Sequence, residues 1–159
     1  MATQQQLTFM REAIRIQRDA GVVRKSGGAF GALIVKEGAV VASCGNSVIK
    51  DLDPSAHAEV NAIRQACRKL GTWDLSGCEL YCSCQCCPMC YSTAYWARIS
   101  HIYYAASWQI YRDLFSDEEI SQDMLKPIAQ RHIPQEQMLE EEAVQVWEEF
   151  RALPDGARY

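Results

Sequence analysis

No apolar run in the sequence comes near the roughly 18 residues that a membrane-spanning helix needs. That excludes a helical membrane protein. There is also no run of Lys or Arg, and the formal net charge is -4. Phosphate binding wants a basic surface, so no nucleic-acid partner is expected. The opening MATQQQLTFMREAIRIQ lacks the basic-then-apolar order of a secretory leader and reads as the first helix of the fold. Internal repeats, low-complexity tracts and linkers are missing as well. The expected location is the cytoplasm, where thiols stay reduced.

Cysteine is what the chain has in excess. There are eight in 159 residues, six of them between Cys78 and Cys90, and five fall within YCSCQCCPMC at 81–90. In a reducing compartment this argues against a disulfide framework and for metal or catalytic use. The length fits one domain. With 48% apolar residues the chain can bury a core.

Periodicity gives the order of elements. Leu7, Met10, Ala13, Ile14 and Ile16 recur at helical spacing from Gln5 to about Ala20. GALIVKEGAVVASCGN reads as a hairpin, with strands at Ala32–Val35 and Val40–Ser43. A helix follows, capped by Asp53 or Ser55 and ended by Gly71. Cys78–Ser83 reads as a buried strand, PMCYSTAYWARI as a helix with Pro88 in its first turn, and HIYYAA as a strand. Beyond it lie acidic helical stretches, broken at Pro127 and Pro134, and a final helix at Glu140–Ala152. The alternation predicts a sheet with helices on both faces.

His57 and Glu59 in HAE, with Cys87 and Cys90 in CCPMC, carry the chemistry. Two thiolates and one imidazole form a zinc set, and three protein ligands leave the fourth position for water. The two-residue spacing lets both sulfurs reach one ion from a helix start, where the thiolate is also favoured. Zinc lowers the pKa of such a water to about 7, and Glu59 is the carboxylate placed to shuttle its proton. The expected reaction is hydrolytic deamination of an amidine-like ring carbon. Cys84 with Cys87 is also a CxxC, but it puts Cys84 in a loop and strands Cys90. Cys44, Cys67 and Cys78 read as small core residues. Cys82, Cys84 and Cys86 read as packing near the site, open to oxidation or to stray metal. A structural zinc site or a redox cluster is the alternative reading. HxE followed about 30 residues later by CxxC is the signature of zinc-dependent base and nucleoside deaminases.

HAEVNAIR, CPMC and YWAR together resemble the cytidine deaminase-like superfamily, and within it the bacterial guanine deaminases. GGAFGALIV, Gly45-Asn46, DPSAHAEVNAIRQAC, Phe115-Ser116-Asp117, KP at 126–127, RHIP at 131–134 and the terminal tyrosine carry the resemblance over nearly the whole chain. It implies an α/β fold: a three-layer α-β-α sandwich around a mixed sheet of about five strands. It implies a single catalytic domain over 1–159, with a helical C-terminal segment at about 117–159 as a candidate cover for the active site. One zinc per subunit, carrying water or hydroxide, is held by His57, Cys87 and Cys90.

The resemblance also assigns individual roles. Glu59 and Asp117 move protons. Phe30 stacks on the base, and Asn46 hydrogen-bonds it. The backbone N–H of Ala58 meets its carbonyl edge, Asp117 its amino group or ring nitrogen, and Tyr159 closes the pocket. The substrate implied is a free nucleobase, with guanine converted to xanthine and ammonia. The assembly implied is a homodimer able to exchange C-terminal segments. The chain departs from the family pattern at Gln85 and Cys86, where glutamate and proline are usual, which reshapes the pocket wall. Cytosine, guanosine and ammeline are the alternative substrates. Adenosine in transfer RNA fits less well, because the chain has no basic cluster. A zinc- or redox-sensing module is the non-enzyme alternative, and Glu59 would have no duty in it.

Overall fold

The computed structural model describes residues 2–159. Residues up to Ser121 form one unit and Gln122–Tyr159 a second. The first unit is built on four strands: β1 (Gly31–Lys36), β2 (Ala39–Gly45), β3 (Cys78–Cys84) and β4 (His101–Ala106). Their order is β2-β1-β3-β4. β1 runs antiparallel to both neighbours, while β3 and β4 are parallel. The sheet is mixed, as expected, with four strands among the described residues against the five anticipated.

The hairpin forms where the sequence places it. Lys36 pairs with Ala39 across Glu37 and Gly38, both in the left-handed region that a tight two-residue turn demands. A bulge interrupts the register after Ile34.

β1 is buried on both faces, and alternation sorts its side chains into two cores. Leu33 and Val35 pack with Tyr81 against Ala13 and Ile16 of α1 (Gln4–Arg18). Ala32 and Ile34 pack with Leu80 against Ala62, Ile63 and Ala66 of α3 (Ala58–Leu70) and against Cys90 and Ala94 of α4 (Pro88–Trp96). Helices on both faces make three layers. Each large apolar side chain so enclosed contributes about 1.5–3 kcal/mol. α1 is opened by a capping box between Thr3 and Gln6, and a widened π-type turn at Asp19–Val23 follows it.

Two local expectations are corrected. Asp53 does not cap α3: its Oδ1 accepts from the N–H and Oγ of Ser55, and His57 takes the N-cap position. Cys84 is not in a loop. β3 extends one residue past Ser83, because Cys84 still pairs with Ala106. A short helix, α2 (Val48–Asp51), also went unread in the sequence.

α5 (Asp117–Met124) follows a single 3-10 turn at Trp108–Ile110. In the second unit, α6 (Glu140–Ala152) opens with three glutamates and carries Arg151 in its last turn, both favourable to the helix dipole. Trp147 meets Phe150 edge-on, and Arg158 stacks on Phe150. No described helix is long and apolar enough to cross a membrane.

Candidate metal centre and active site

Two helix starts deliver the donors. His57 is the N-cap of α3 and Cys87 the N-cap of α4, where its sulfur accepts from the N–H of Cys90 at 3.5 Å. Pro88 follows at the first helical position, where a missing N–H costs nothing. The His57 Nδ1 lies 3.6 Å from Cys87 Sγ and 3.5 Å from Cys90 Sγ. A nitrogen and a sulfur on one tetrahedral zinc, with bonds of about 2.05 and 2.3 Å, stand about 3.6 Å apart. The three donors all lie within 4.8 Å of one another. In spacing and in chemistry the trio fits zinc. Hydrogen bonds from Cys90 and His57 hold the Cys87 thiol down to about 4, a thiolate at neutral pH.

Glu59 is the second residue of α3, 4% exposed, with Oε2 3.5 Å from Cys90 Sγ. Burial pushes its carboxyl up to about 7. Ala58, fully buried, is the first residue of α3, which has no side-chain cap.

A cavity of about 390 Å³ opens beside these groups, lined by Phe30, Asn46, His57, Glu59, Gln85 and Asp117 among others. The rings of Phe30 and His57 are parallel to within 2°, with centroids 6.5 Å apart. Phe115 and Tyr111 meet Phe30 edge-on at 5.1 and 5.4 Å and brace it. Asn46 is buried. Its Oδ1 accepts from the N–H groups of Gly28 (3.2 Å) and Val48 (3.1 Å), which fixes the amide orientation and leaves Nδ2 for a ligand. The paired glycines of SGGAF make this approach possible. A Cβ at Gly27 would stand 1.9 Å from Asn46 Oδ1, and one at Gly28 would stand 2.7 Å from the Phe30 ring.

Asp117 is buried at the start of α5, and its Oδ2 accepts from the Tyr111 hydroxyl at 3.1 Å. Burial, then the Cys87 sulfur, push its carboxyl up. Sequence reasoning missed Tyr111 and Trp108. The Trp108 Nε1 donates to the Gln85 carbonyl, which also lies 3.3 Å from the Tyr111 hydroxyl, as an alternative acceptor for its one proton, and these contacts pin the strand-to-helix loop. The aromatic residues of SWQIYRDL, just ahead of Asp117, were the available signal.

His57, Glu59, Cys87, Phe30, Asn46 and Asp117 thus gather at one cavity, with Ala58 between two of them and the fully buried Cys90 in contact with His57 and Glu59. Tyr159 belongs to the second unit, where it is exposed. Of the other cysteines, Cys78, Cys82, Cys84 and Cys86 are buried, while Cys44 and Cys67 are only half-buried.

A mixed sheet that presents one imidazole, two thiols and a buried carboxylate from two helix starts defines a zinc-dependent deaminase. Residues 3–106 match the cytidine and deoxycytidylate deaminase zinc-binding region, and the chain belongs to that family. It is a zinc-binding aminohydrolase, which sets the sensing module aside. The guanine deaminase of Bacillus subtilis is 42% identical over 153 residues, spanning 96% of this chain and 97% of its own. The X-ray structure of a B. subtilis guanine deaminase matches with a TM-score of 0.91, covering 96% of this chain and 98% of that one. A tRNA-specific adenosine deaminase of Aquifex aeolicus is 41% identical over 98 residues, 62% of this chain and 64% of its own.

Proposed function

We propose that the protein hydrolyses free guanine to xanthine and ammonia. The observation that carries this is the slot between Phe30 and His57. The rings are parallel with centroids 6.5 Å apart, near the about 7 Å that a flat ring inserted between two others spans. A purine placed there lies beside the metal trio, in the cavity that Glu59 also lines. The likeness to guanine deaminases over nearly the full chain supports guanine over other bases.

His57, Cys87 and Cys90 hold one zinc per subunit, and the ion supplies Lewis acidity toward water at neutral pH. Glu59 would take one proton from the attacking water and pass it to the ring nitrogen, then carry the proton of the newly added hydroxyl to the departing amine. Its raised carboxyl suits that exchange. Phe30 and the His57 ring orient the base by stacking. Asn46 Nδ2 donates to the base, and the Ala58 N–H serves its carbonyl edge. Asp117 accepts from the amino group or ring nitrogen and assists proton transfer, held in place by Tyr111.

The C-terminal segment, about 117–159, is the proposed cover, with Tyr159 over the pocket in a cytoplasmic homodimer that exchanges these segments. The apolar Val144, Val146, Trp147 and Leu153, exposed in the second unit, support a partner surface there.

Ammonia release by the zinc-loaded protein decides the substrate, with guanine, guanosine, cytosine, adenine, cytidine and ammeline as the panel. Turnover of guanine above the rest is expected. Turnover of a different member, with guanine inert, overturns the assignment.

A further inference from the structure

The sulfur run contains a pair of thiols that deamination does not use. Cys82 lies near the end of β3 and Cys86 just ahead of α4. Both are buried, and their sulfurs are 3.6 Å apart. Two thiolates on one tetrahedral zinc, with bonds of about 2.3 Å, stand about 3.8 Å apart. Glu59 completes the set, since one carboxylate oxygen and the two sulfurs all lie within 4.8 Å of one another. Apolar packing would explain a contact between two thiols. Proton transfer at the trio already accounts for the buried Glu59; what it leaves unused is the thiol pair within ligand distance of that carboxylate. Glu59 also lines the cavity, so an ion entering there meets the carboxylate first.

We propose that Cys82, Cys86 and Glu59 form a second, inhibitory site for a thiophilic divalent cation such as zinc or cadmium, separate from the His57–Cys87–Cys90 trio. Two sulfurs and one oxygen suit that class of ion. On binding, the two thiols release their protons to solvent, the carboxylate contributes an oxygen, and no electron moves. Because Glu59 is one of the ligands, an ion there removes it from proton transfer. The protein is then inhibited by an excess of the metal it requires. Binding at this site does not depend on which base is turned over.

The test starts from protein carrying one zinc. Cadmium chloride is titrated in while thiolate-to-cadmium absorbance is followed in the ultraviolet, and retained zinc and cadmium are counted after desalting. Wild-type protein is expected to take one cadmium beyond its zinc, and Cys86→Ser and Cys82→Ala to keep the zinc and take none. Replacement of zinc one for one, no uptake beyond the zinc, or equal uptake by the variants overturns the proposal. Should the wholly buried Cys82→Ala fail to fold, Cys86→Ser decides, because Cys86 lies at the edge of the core at 7% exposed. Guanine turnover should fall about a hundred-fold on the second equivalent in wild type, the low end of what acid–base catalysis supplies, and hold in Cys86→Ser. If neither protein turns over guanine, the substrate assignment fails while the metal count still decides the site.

Discussion

Phe30 and His57 hold their rings parallel across the mouth of the metal centre, and His57 is also the nitrogen donor of that centre. One residue therefore serves the ion and one wall of the slot at once. Phe30 supplies the other wall and is not itself a metal donor. Removing it should weaken base binding without disturbing the metal.

Phe30→Ala is expected to raise KM for guanine, since stacking a base on an aromatic ring is worth about 1–3 kcal/mol. Zinc content should stay at the wild-type value. Steady-state kinetics beside metal analysis checks both. An unchanged KM would remove Phe30 from the site.

Glu59→Ala separates metal binding from chemistry. The carboxylate is not among the trio's donors, so the variant should keep its zinc. Its kcat should fall by about 10²–10⁴, the share that a positioned proton carrier supplies. Activity that survives would reassign the proton shuttle.

Tyr111→Phe deletes the hydroxyl that donates to Asp117. A hydrogen bond to a carboxylate favours its charged form, and here it opposes the upward push of burial. Without it the Asp117 carboxyl rises further, so any step needing the carboxylate demands a higher pH. The acid limb of kcat/KM against pH should move upward. The same change should cost about 1 kcal/mol of stability, read from denaturant unfolding.

Gly27→Ala puts a methyl group onto Asn46 Oδ1. Either the loop or Asn46 must shift, at a cost of about 1–3 kcal/mol. Because Asn46 Oδ1 anchors two backbone N–H groups, base affinity should fall along with Tm.

Thermal unfolding of metal-free protein should show a lower Tm than the zinc form, because an ion that binds only the folded state stabilises it. Zinc uptake should also release protons, since its bond to Cys87 and then burial keep the Cys90 thiol protonated without metal. A weakly buffered titration with an indicator dye reads that release.

Much of this was legible in the sequence, for reasons that differ by element. The hairpin showed because alternation and a Glu-Gly turn are local signals. His57, Glu59, Cys87 and Cys90 showed because their spacing carries the chemistry. The start of α3 was misplaced by a few residues: Asp53 and Ser55 are good caps in isolation, and only the fold reveals that they satisfy each other. Tyr111 was invisible because its partners, the Gln85 carbonyl and Asp117, are brought together by tertiary structure. The Cys82–Cys86 contact was hidden too. A strand residue and a loop residue meet only because the chain turns between β3 and α4.

The metal donors His57 and Cys87 stand at the very beginnings of α3 and α4. α3 then runs thirteen residues, about 20 Å, before Gly71 ends it. The turn at that far end is a helix length away from the ion. The exposed turn at Gly71 and Thr72, ahead of the buried Leu75, is thus a place where the chain can be lengthened or fitted with a reporter segment while the donors keep their positions. The stretch around Pro54 and Gln85 tolerates no such surgery.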